Sequence, residues 1–322
     1  KNSCKYVICI LAQDDTYFSS ALLKKTLNAI RFNLPGINKL IEPENILICI
    51  FFNEINNNSI FNEEEKFLLN NKLQYLLARK IFQIDSDTIN IHCFCKIDNF
   101  TEVEILKFFY SILIKQLKPN NNIIFSSVLK NGVVINDNSL DSLLKVSFFS
   151  RQTHSIVVPL LQDAEPKNLF GQIKSYERFH FNIYNMNFYN MSCSVPISSL
   201  FNVMTIDDKL SIELINFYAD MNTNSNIDYH DYKLSLYLYQ YNHKIIYYNA
   251  KPMGTVNYLD DSENPLCDYK KYWVGRYSGY YGNFFGIINM FLNCNVCNLV
   301  KKVLLFFDII GMMIDFIFPS LS

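Results

Sequence analysis

The sequence contains little charge of either sign. Asp, Glu, Lys and Arg together make up only 18% of its 322 residues, and the formal net charge is -1. It also lacks a long basic stripe of the kind that neutralises a phosphate backbone. Because a net charge near zero provides no long-range attraction to DNA or RNA, we expect no nucleic-acid partner.

The nine cysteines lack the spacing of a structural metal site. The one CxxC motif, Cys294 to Cys297, has no second pair at zinc-finger spacing. The cluster of His92, Cys93 and Cys95 has the wrong spacing for a zinc knuckle and lies in a strand-like apolar run. An odd number of cysteines in a chain of this length is typical of reduced thiols. We therefore expect buried or surface thiols and no zinc.

Hydrophobic residues make up 50% of the chain, which is high for a soluble enzyme and low for a polytopic membrane protein. The length allows one large domain or two small ones. The sequence starts at Lys1 without a signal-peptide pattern and stops inside a hydrophobic stretch. This pattern leads us to expect a domain taken from a longer protein.

The last apolar segment, Leu299–Pro319, is long enough to approach a membrane span. It contains four charged residues, Lys301, Lys302, Asp308 and Asp315. The two acidic residues are seven apart, so they share a helix face that can point towards protein instead of lipid. We predict a membrane-associated helix, and the alternative is an amphipathic helix that closes the domain.

Apolar runs of strand length alternate with helical segments in the first half of the chain. The predicted strands are Tyr6–Leu11, Ile46–Phe52, Ile89–Cys95 and Ile123–Phe125. The predicted helices are Phe18–Phe32, Glu63–Phe82 and Glu102–Leu117. Wholly apolar strands that alternate with helices favour an α/β fold, with a parallel sheet covered on both faces.

Ligands of such sheets bind beyond the carboxyl ends of the strands. Asn53, Ser126 and the turn Gln13–Asp15 fall at the predicted strand ends. The sequence therefore predicts a binding site at this edge of the sheet.

Five short segments occur in the order and spacing of a known enzyme family. They are ILICIFFNE (46–54), LKPNNNIIFSSVLKNG (117–132), CSVPISS (193–199), YHDYKL (229–234) and YKKYW (269–273). In this order they resemble the catalytic domain of fungal-type chitin synthases, which are processive family 2 glycosyltransferases. The resemblance implies a GT-A-like, Rossmann-like fold.

The resemblance assigns the donor site to four residues. Asn53 stands where the family has an aspartate that serves the uridine, and Ser126 stands where it has a metal-binding aspartate. Lys270 and Lys271 replace arginines that hold the diphosphate. The family's metal is Mn²⁺ or Mg²⁺, and since a serine replaces its carboxylate ligand, we predict no metal ligand in this chain.

The resemblance also assigns the base and the acceptor site. Asp231 matches the catalytic aspartate, although His230 and Tyr232 replace its glutamate and arginine neighbours. Pro196 and Trp273 match residues near the acceptor. A membrane localisation follows from the resemblance, with a glycosyltransferase-like domain at 1–277 on the cytosolic side. Residues 278–322 would then form an interfacial helix and the start of a transmembrane region.

The substitutions in these motifs, relative to the resembled family, predict weak or absent catalysis. The chain would be a pseudoenzyme of cell-wall synthesis that partners an active synthase. One alternative is a competent but divergent chitin synthase, which would build β-1,4-linked polymer from UDP-N-acetylglucosamine. A further alternative is an unrelated soluble α/β domain, in which the order of the motifs is a coincidence.

Overall fold

The structure is a computed structural model of the chain. It describes residues 4–12, 21–53, 89–96, 101–116, 124–149, 153–157, 160–162, 201–221, 227–241, 243–247, 254–256, 284–292 and 299–317, together with single helical positions at 169, 172, 173, 176, 266, 270, 274 and 282.

Two sheets organise the described residues. The strands are β1 (Lys5–Ala12), β2 (Ile46–Asn53), β3 (Asn90–Lys96), β4 (Ile124–Lys130), β5 (Val133–Ile135), β6 (Thr153–Val157), β7 (Leu160–Gln162), β8 (Phe201–Ile206), β9 (Lys244–Tyr247) and β10 (Gly254–Val256). The main sheet has seven strands in the order β3-β2-β1-β4-β8-β6-β9, and β5, β10 and β7 form a small second sheet. Within the main sheet only β8 runs antiparallel to its neighbours. The prediction of an α/β fold with a mostly parallel sheet is confirmed.

Helices cover both faces of the main sheet. They are α1 (Ala21–Ile37), α2 (Glu102–Gln116), α3 (Ser139–Phe149), α4 (Asp208–Asp220) and α5 (Ile227–Gln240). Alternate side chains of β1 enter a first core with α1 and α3 and a second core with α2, α4 and α5. Both faces of the strands are therefore apolar, as expected for a strand inside a parallel sheet. Two further helices, α6 (Phe284–Leu292) and α7 (Leu299–Ile317), follow and contribute none of their described residues to either of these cores.

Most predicted elements of the first half agree with the structure to within a few residues. The prediction that β4 ends at Phe125 is wrong, because the strand continues to Lys130. Val128 packs in the second core and Leu129 in the first, so the apolar alternation resumes after the serines. The predicted helix Glu63–Phe82 lies outside the described residues.

Side chains cap the N-termini of α2 and α4. Thr101 and Glu104 form a capping box: the backbone N–H of Glu104 donates to Oγ1 of Thr101, and the backbone N–H of Thr101 donates to Oε2 of Glu104. Oδ1 of Asp207 accepts from the backbone N–H of Leu210 at 2.7 Å. These bonds satisfy N–H groups that have no partner within the helix.

Asn33 fastens α1 to the start of α3. Its side chain is fully buried. Its Nδ2 donates to the carbonyl oxygens of Ala29 at 2.9 Å and Asn136 at 3.2 Å, and its Oδ1 accepts from the backbone N–H of Leu140 at 3.1 Å. Every polar atom of this buried amide is therefore satisfied, which a polar group away from water requires.

We predict that Asn33→Ala lowers the free energy of unfolding by about 2–4 kcal/mol, because it removes the acceptor of the buried N–H of Leu140 and two hydrogen bonds to backbone carbonyls. Urea denaturation followed by circular dichroism measures the change. Asn38→Ala, at an exposed position just after α1, is the matched control and should change stability by less than about 0.5 kcal/mol. Equal effects of the two variants would contradict the role of Asn33.

The four cysteines whose side chains the structure describes, Cys4, Cys9, Cys49 and Cys93, are free thiols. Burial raises the pKa of Cys9 well above its usual value, and the nearby Cys49 and Glu102 raise it further. Burial also raises the pKa of Cys49 and of Cys93 to about 12. Since the thiolate is the nucleophile, we expect these thiols to be poor nucleophiles in the folded protein.

We predict that iodoacetamide labels Cys9, Cys49 and Cys93 only slowly in the native protein between pH 7 and 9. The raised pKa values keep these thiols protonated through that range. The half-exposed Cys4 should react faster, and all four should react in urea. Peptide-resolved mass spectrometry measures the labelling, and native labelling of Cys9 at the rate of Cys4 would disprove the burial.

The membrane localisation predicted from the last segment is wrong. Of the helices in the described part of the chain, none combines the length and apolar character needed to cross a bilayer. The physical reason is the charge of α7, whose sequence includes Lys301, Lys302, Asp308 and Asp315. Instead, α6 and α7 pack against each other around a small core formed by Ile287, Met290, Leu305 and Met312. The domain boundary at 277/278 stays a prediction.

Candidate active site

The order of the strands creates a crevice at one edge of the main sheet. The chain runs from β1 outwards to β2 and β3, and then crosses to β4 on the other side of β1. Ligands of open α/β sheets bind at such a switch point, beyond the carboxyl ends of the strands. We call the edge at which β1, β2, β3 and β4 end the carboxyl edge.

A tight turn after β4 is fastened to the elements beside it. The backbone N–H of Asn131 donates to the carbonyl oxygen of Leu11 at 3.0 Å. The backbone N–H of Gly132 donates to Oγ1 of the buried Thr26 in α1, also at 3.0 Å. Gly132 has a φ of 86°, a left-handed conformation that favours glycine. The end of β4 is therefore held rigidly at the switch point.

The four parallel strands end at Ala12, Asn53, Lys96 and Lys130. Asn53 pairs with Lys96, and Lys130 pairs with Leu11 in the adjacent strand. Strand spacing and rise place the Cα atoms of Asn53 and Lys130 about 12 Å apart. Lys130 is half-buried. It follows Val128 by two residues and so lies on the second-core face of the sheet.

Aromatic packing fixes β2 and β3 just below their ends. The rings of Phe51 and Phe94 stack with centroids 4.9 Å apart, and Phe108 of α2 meets Phe94 edge-on at 5.3 Å. Such pairs stabilise beyond the area that they bury. This packing therefore holds the backbone of β2 and β3 in place just before Asn53 and Lys96.

The chain path brings Asp231 to the same edge. β8 is antiparallel to β4, so α4 begins at the amino edge and runs towards the carboxyl edge. α5 returns beside it, and β9 then starts at the amino edge in parallel with β6. Asp231 is the fifth residue of α5 and lies in the half of that helix nearest the carboxyl edge.

Three side chains hold α5, and the segment that follows it, against α4. Nε2 of His243 and Oε2 of Glu213 are 2.5 Å apart, and the hydroxyl of Tyr237 donates to the carbonyl oxygen of Glu213 at 3.3 Å. Burial, with added effects from Tyr241, Glu213 and Asp220, raises the pKa of Tyr237 to about 12. The phenol therefore stays protonated and keeps its donor at neutral pH.

Ser126 does not lie at the carboxyl edge, and this part of the sequence interpretation is wrong. It is the third residue of β4, pairs with Val7 and Met204, and has no exposed surface. Lys130 lies four positions further along the strand, a distance of about 13 Å. Its Oγ finds no hydrogen-bond partner among the described residues. The edge position expected for Ser126 is occupied by Lys130, which the sequence interpretation missed.

The other predicted site residues are placed only in part. Lys270 is an exposed helical residue, whereas Lys271, Trp273 and Pro196 lie outside the described residues. For Asn53 and Asp231 the structure describes the backbone position. It thus brings Asn53, Lys130 and Asp231 to one edge and separates Ser126 from them.

The residues at the carboxyl edge do not fit a divalent cation. Mn²⁺ and Mg²⁺ favour carboxylate oxygen, but the described strand ends supply alanine, asparagine and two lysines. Within the described part of the chain, no group of three or more His, Cys, Asp or Glu side chains is arranged to hold a metal. Asp14 and Asp15, which follow β1, lie outside it.

Comparison with solved structures identifies the fold. A mannosyltransferase from Pyrobaculum calidifontis, solved with GDP-Man and Mn²⁺, matches with a TM-score of 0.50 at 7% identity, over 95% of this chain and 69% of that one. A UTP-bound UGPase from Acinetobacter baumannii matches at 12% identity over 88% of this chain and 99% of that one, with a TM-score of only 0.36. No protein-family model matches the chain, and neither does any curated protein.

The first of these likenesses shows a fold similar to GT-A glycosyltransferases. The predicted GT-A-like fold is therefore confirmed. The comparisons give no support to the narrower resemblance to chitin synthases.

We predict that Ser126→Ala leaves stability unchanged or raises it, because no hydrogen bond is lost and a buried hydroxyl is removed. Ser126→Asp should cost about 3–5 kcal/mol, because it buries an unpaired charge. Chemical denaturation measures both.

Ser127→Ala is the matched control, since the hydroxyls of Ser127 and Tyr6 share a hydrogen bond of 2.7 Å. It should cost about 1–3 kcal/mol. A folded Ser126→Asp protein that binds Mn²⁺ would show that Ser126 lies at the donor site after all.

Proposed function

We propose that this chain binds a nucleotide sugar at the carboxyl edge of its main sheet and retains little or no transferase activity. The observation that carries the proposal is the crossing of the chain from β3 to β4, which opens the crevice beside β1. The similar mannosyltransferase, solved with GDP-Man and Mn²⁺, supports a nucleotide-sugar ligand.

Asn53 is the proposed contact for the base. A side-chain amide has both a donor and an acceptor, which match the edge of a uracil ring. The neutral amide forms a weaker bond than the carboxylate of the resembled family. UDP-N-acetylglucosamine is the proposed donor on the basis of that resemblance.

Asp231 is the proposed remnant of the catalytic base. A base for the acceptor hydroxyl must lie within hydrogen-bond reach of it, and the start of α5 near the carboxyl edge supports this role. Lys270 and Lys271 are proposed near the diphosphate, and Trp273 and Pro196 near the acceptor. Transfer also needs charge stabilisation at the leaving diphosphate, and the drift of the motifs is the reason for expecting weak turnover.

Without turnover, the chain would act as a nucleotide-sugar-binding partner of an active transferase. The second candidate is a working divergent transferase that makes chitin, and the location of Asp231 favours it. Transfer of label from UDP-N-acetylglucosamine, abolished by Asp231→Asn, would select this second candidate.

The test is calorimetric titration of UDP, GDP and UDP-N-acetylglucosamine into the full chain. We expect the uridine nucleotides to bind and GDP to bind at least tenfold more weakly, a difference of about 1.4 kcal/mol. Asn53→Ala should remove this preference, because it removes the amide that reads the base.

Asn38→Ala is the control, since Asn38 follows α1 at the opposite edge of the sheet. Asn38→Ala should leave the affinities for the uridine nucleotides and for GDP unchanged. Absence of binding by every nucleotide, or equal losses in the two variants, would overturn the proposed site.

A further inference from the structure

We propose that Lys130 takes the place of the divalent cation, so that the diphosphate of the nucleotide binds through a lysine ammonium and needs no metal. This inference rests on the proposed function, because it assigns the phosphate contact of the same site. It concerns binding alone and requires no chemical step.

The location of Lys130 is the first argument. It ends β4 at the switch point and pairs with Leu11 of β1. A phosphate group bound in this crevice lies beyond the ends of these two strands. A four-carbon side chain on the last residue of β4 has the length to reach it.

The backbone of the following turn supplies the second argument. Phosphates in α/β folds are often held by backbone N–H groups of a glycine-containing turn. Here the N–H of Asn131 is bonded to Leu11 and the N–H of Gly132 is bonded to Thr26. Since both of these donors are engaged within the fold, neither is available to a phosphate, which favours a contact from the side chain of the preceding Lys130.

The face of the sheet supplies the third argument. Alternation along β4 puts Lys130 on the face of the second core, with Val128. Leu234 and Leu238 place α5 on that same face. Lys130 and the proposed base Asp231 therefore lie on the same side of the sheet and at the same edge. A transferase site needs this arrangement, because the diphosphate and the acceptor hydroxyl must bind in one crevice.

Charge distinguishes this site from a metal site. Two of the four described strand ends carry a lysine, Lys96 and Lys130, and none carries a carboxylate. Fixed positive charge repels a divalent cation and attracts a phosphate. Lysine is a common phosphate ligand because its ammonium is a compact point charge.

The test is calorimetric titration of UDP and of uridine into the full chain, in EDTA and again in Mn²⁺. We expect the affinity for UDP to agree within about twofold in the two buffers. Lys130→Gln should weaken UDP about tenfold or more, which is about 1.4 kcal/mol, and should leave uridine binding unchanged.

Two further variants complete the test. Lys39→Ala removes an exposed lysine at the opposite edge of the sheet and should have no effect on UDP. Lys130→Asp should lose UDP binding in EDTA and regain it in Mn²⁺, because a carboxylate at this position can hold the metal. Circular dichroism confirms that each variant is folded.

Binding of UDP that needs Mn²⁺ and is lost in Asp14→Asn or Asp15→Asn would overturn this inference and leave the proposed function standing. Equal weakening of UDP and uridine by Lys130→Gln would also overturn it, since a phosphate contact affects UDP alone. Absence of UDP binding in both buffers would instead contradict the proposed function, and the inference would fall with it.

Discussion

The parallel pairing of β1 with both β2 and β4 is the constraint on which the rest of the structure depends. All side chains from Tyr6 to Ala12 are almost completely buried, with at most 1% exposed. Burial on both faces requires a layer of helices on each side, and the two cores provide it. With β1 in the centre, the ends of β2 and β4 must lie on either side of its end. The crevice is therefore a consequence of the core.

The sequence was sufficient to predict the architecture and the carboxyl edge as the place for a site, and insufficient to show that Ser126 lies inside β4. Apolar runs alternate with helical segments, so a covered parallel sheet followed directly from the pattern. The end of β4 did not follow from the pattern, because the hydroxyl groups of two serines interrupt its apolar run. Ser127 is bonded to Tyr6 inside the first core, whereas Ser126 is simply buried. The sequence signal that the strand continues past the serines is the apolar pair Val128-Leu129, which precedes the turn at Gly132.

The membrane prediction failed for a related reason. Apolar length alone suggested a span, but the charges of α7 interrupt it. Large apolar side chains of α7, among them Leu299 and Phe307, are nevertheless more than half exposed. The sequence pattern of α7 thus predicted the first residue of the helix, Leu299, correctly. That its buried side packs against α6 became clear only from the structure.

The proposed binding of a nucleotide sugar at the carboxyl edge formed by β1, β2 and β4 predicts where a ligand protects the chain. Hydrogen–deuterium exchange with and without UDP-N-acetylglucosamine tests it most directly, because it reports the position of the ligand along the chain. We expect new protection in peptides that contain Asn53 and Asp231, with none in peptides from the amino edge around Ile46. Protection at the amino edge, or protection confined to α6 and α7, would contradict it.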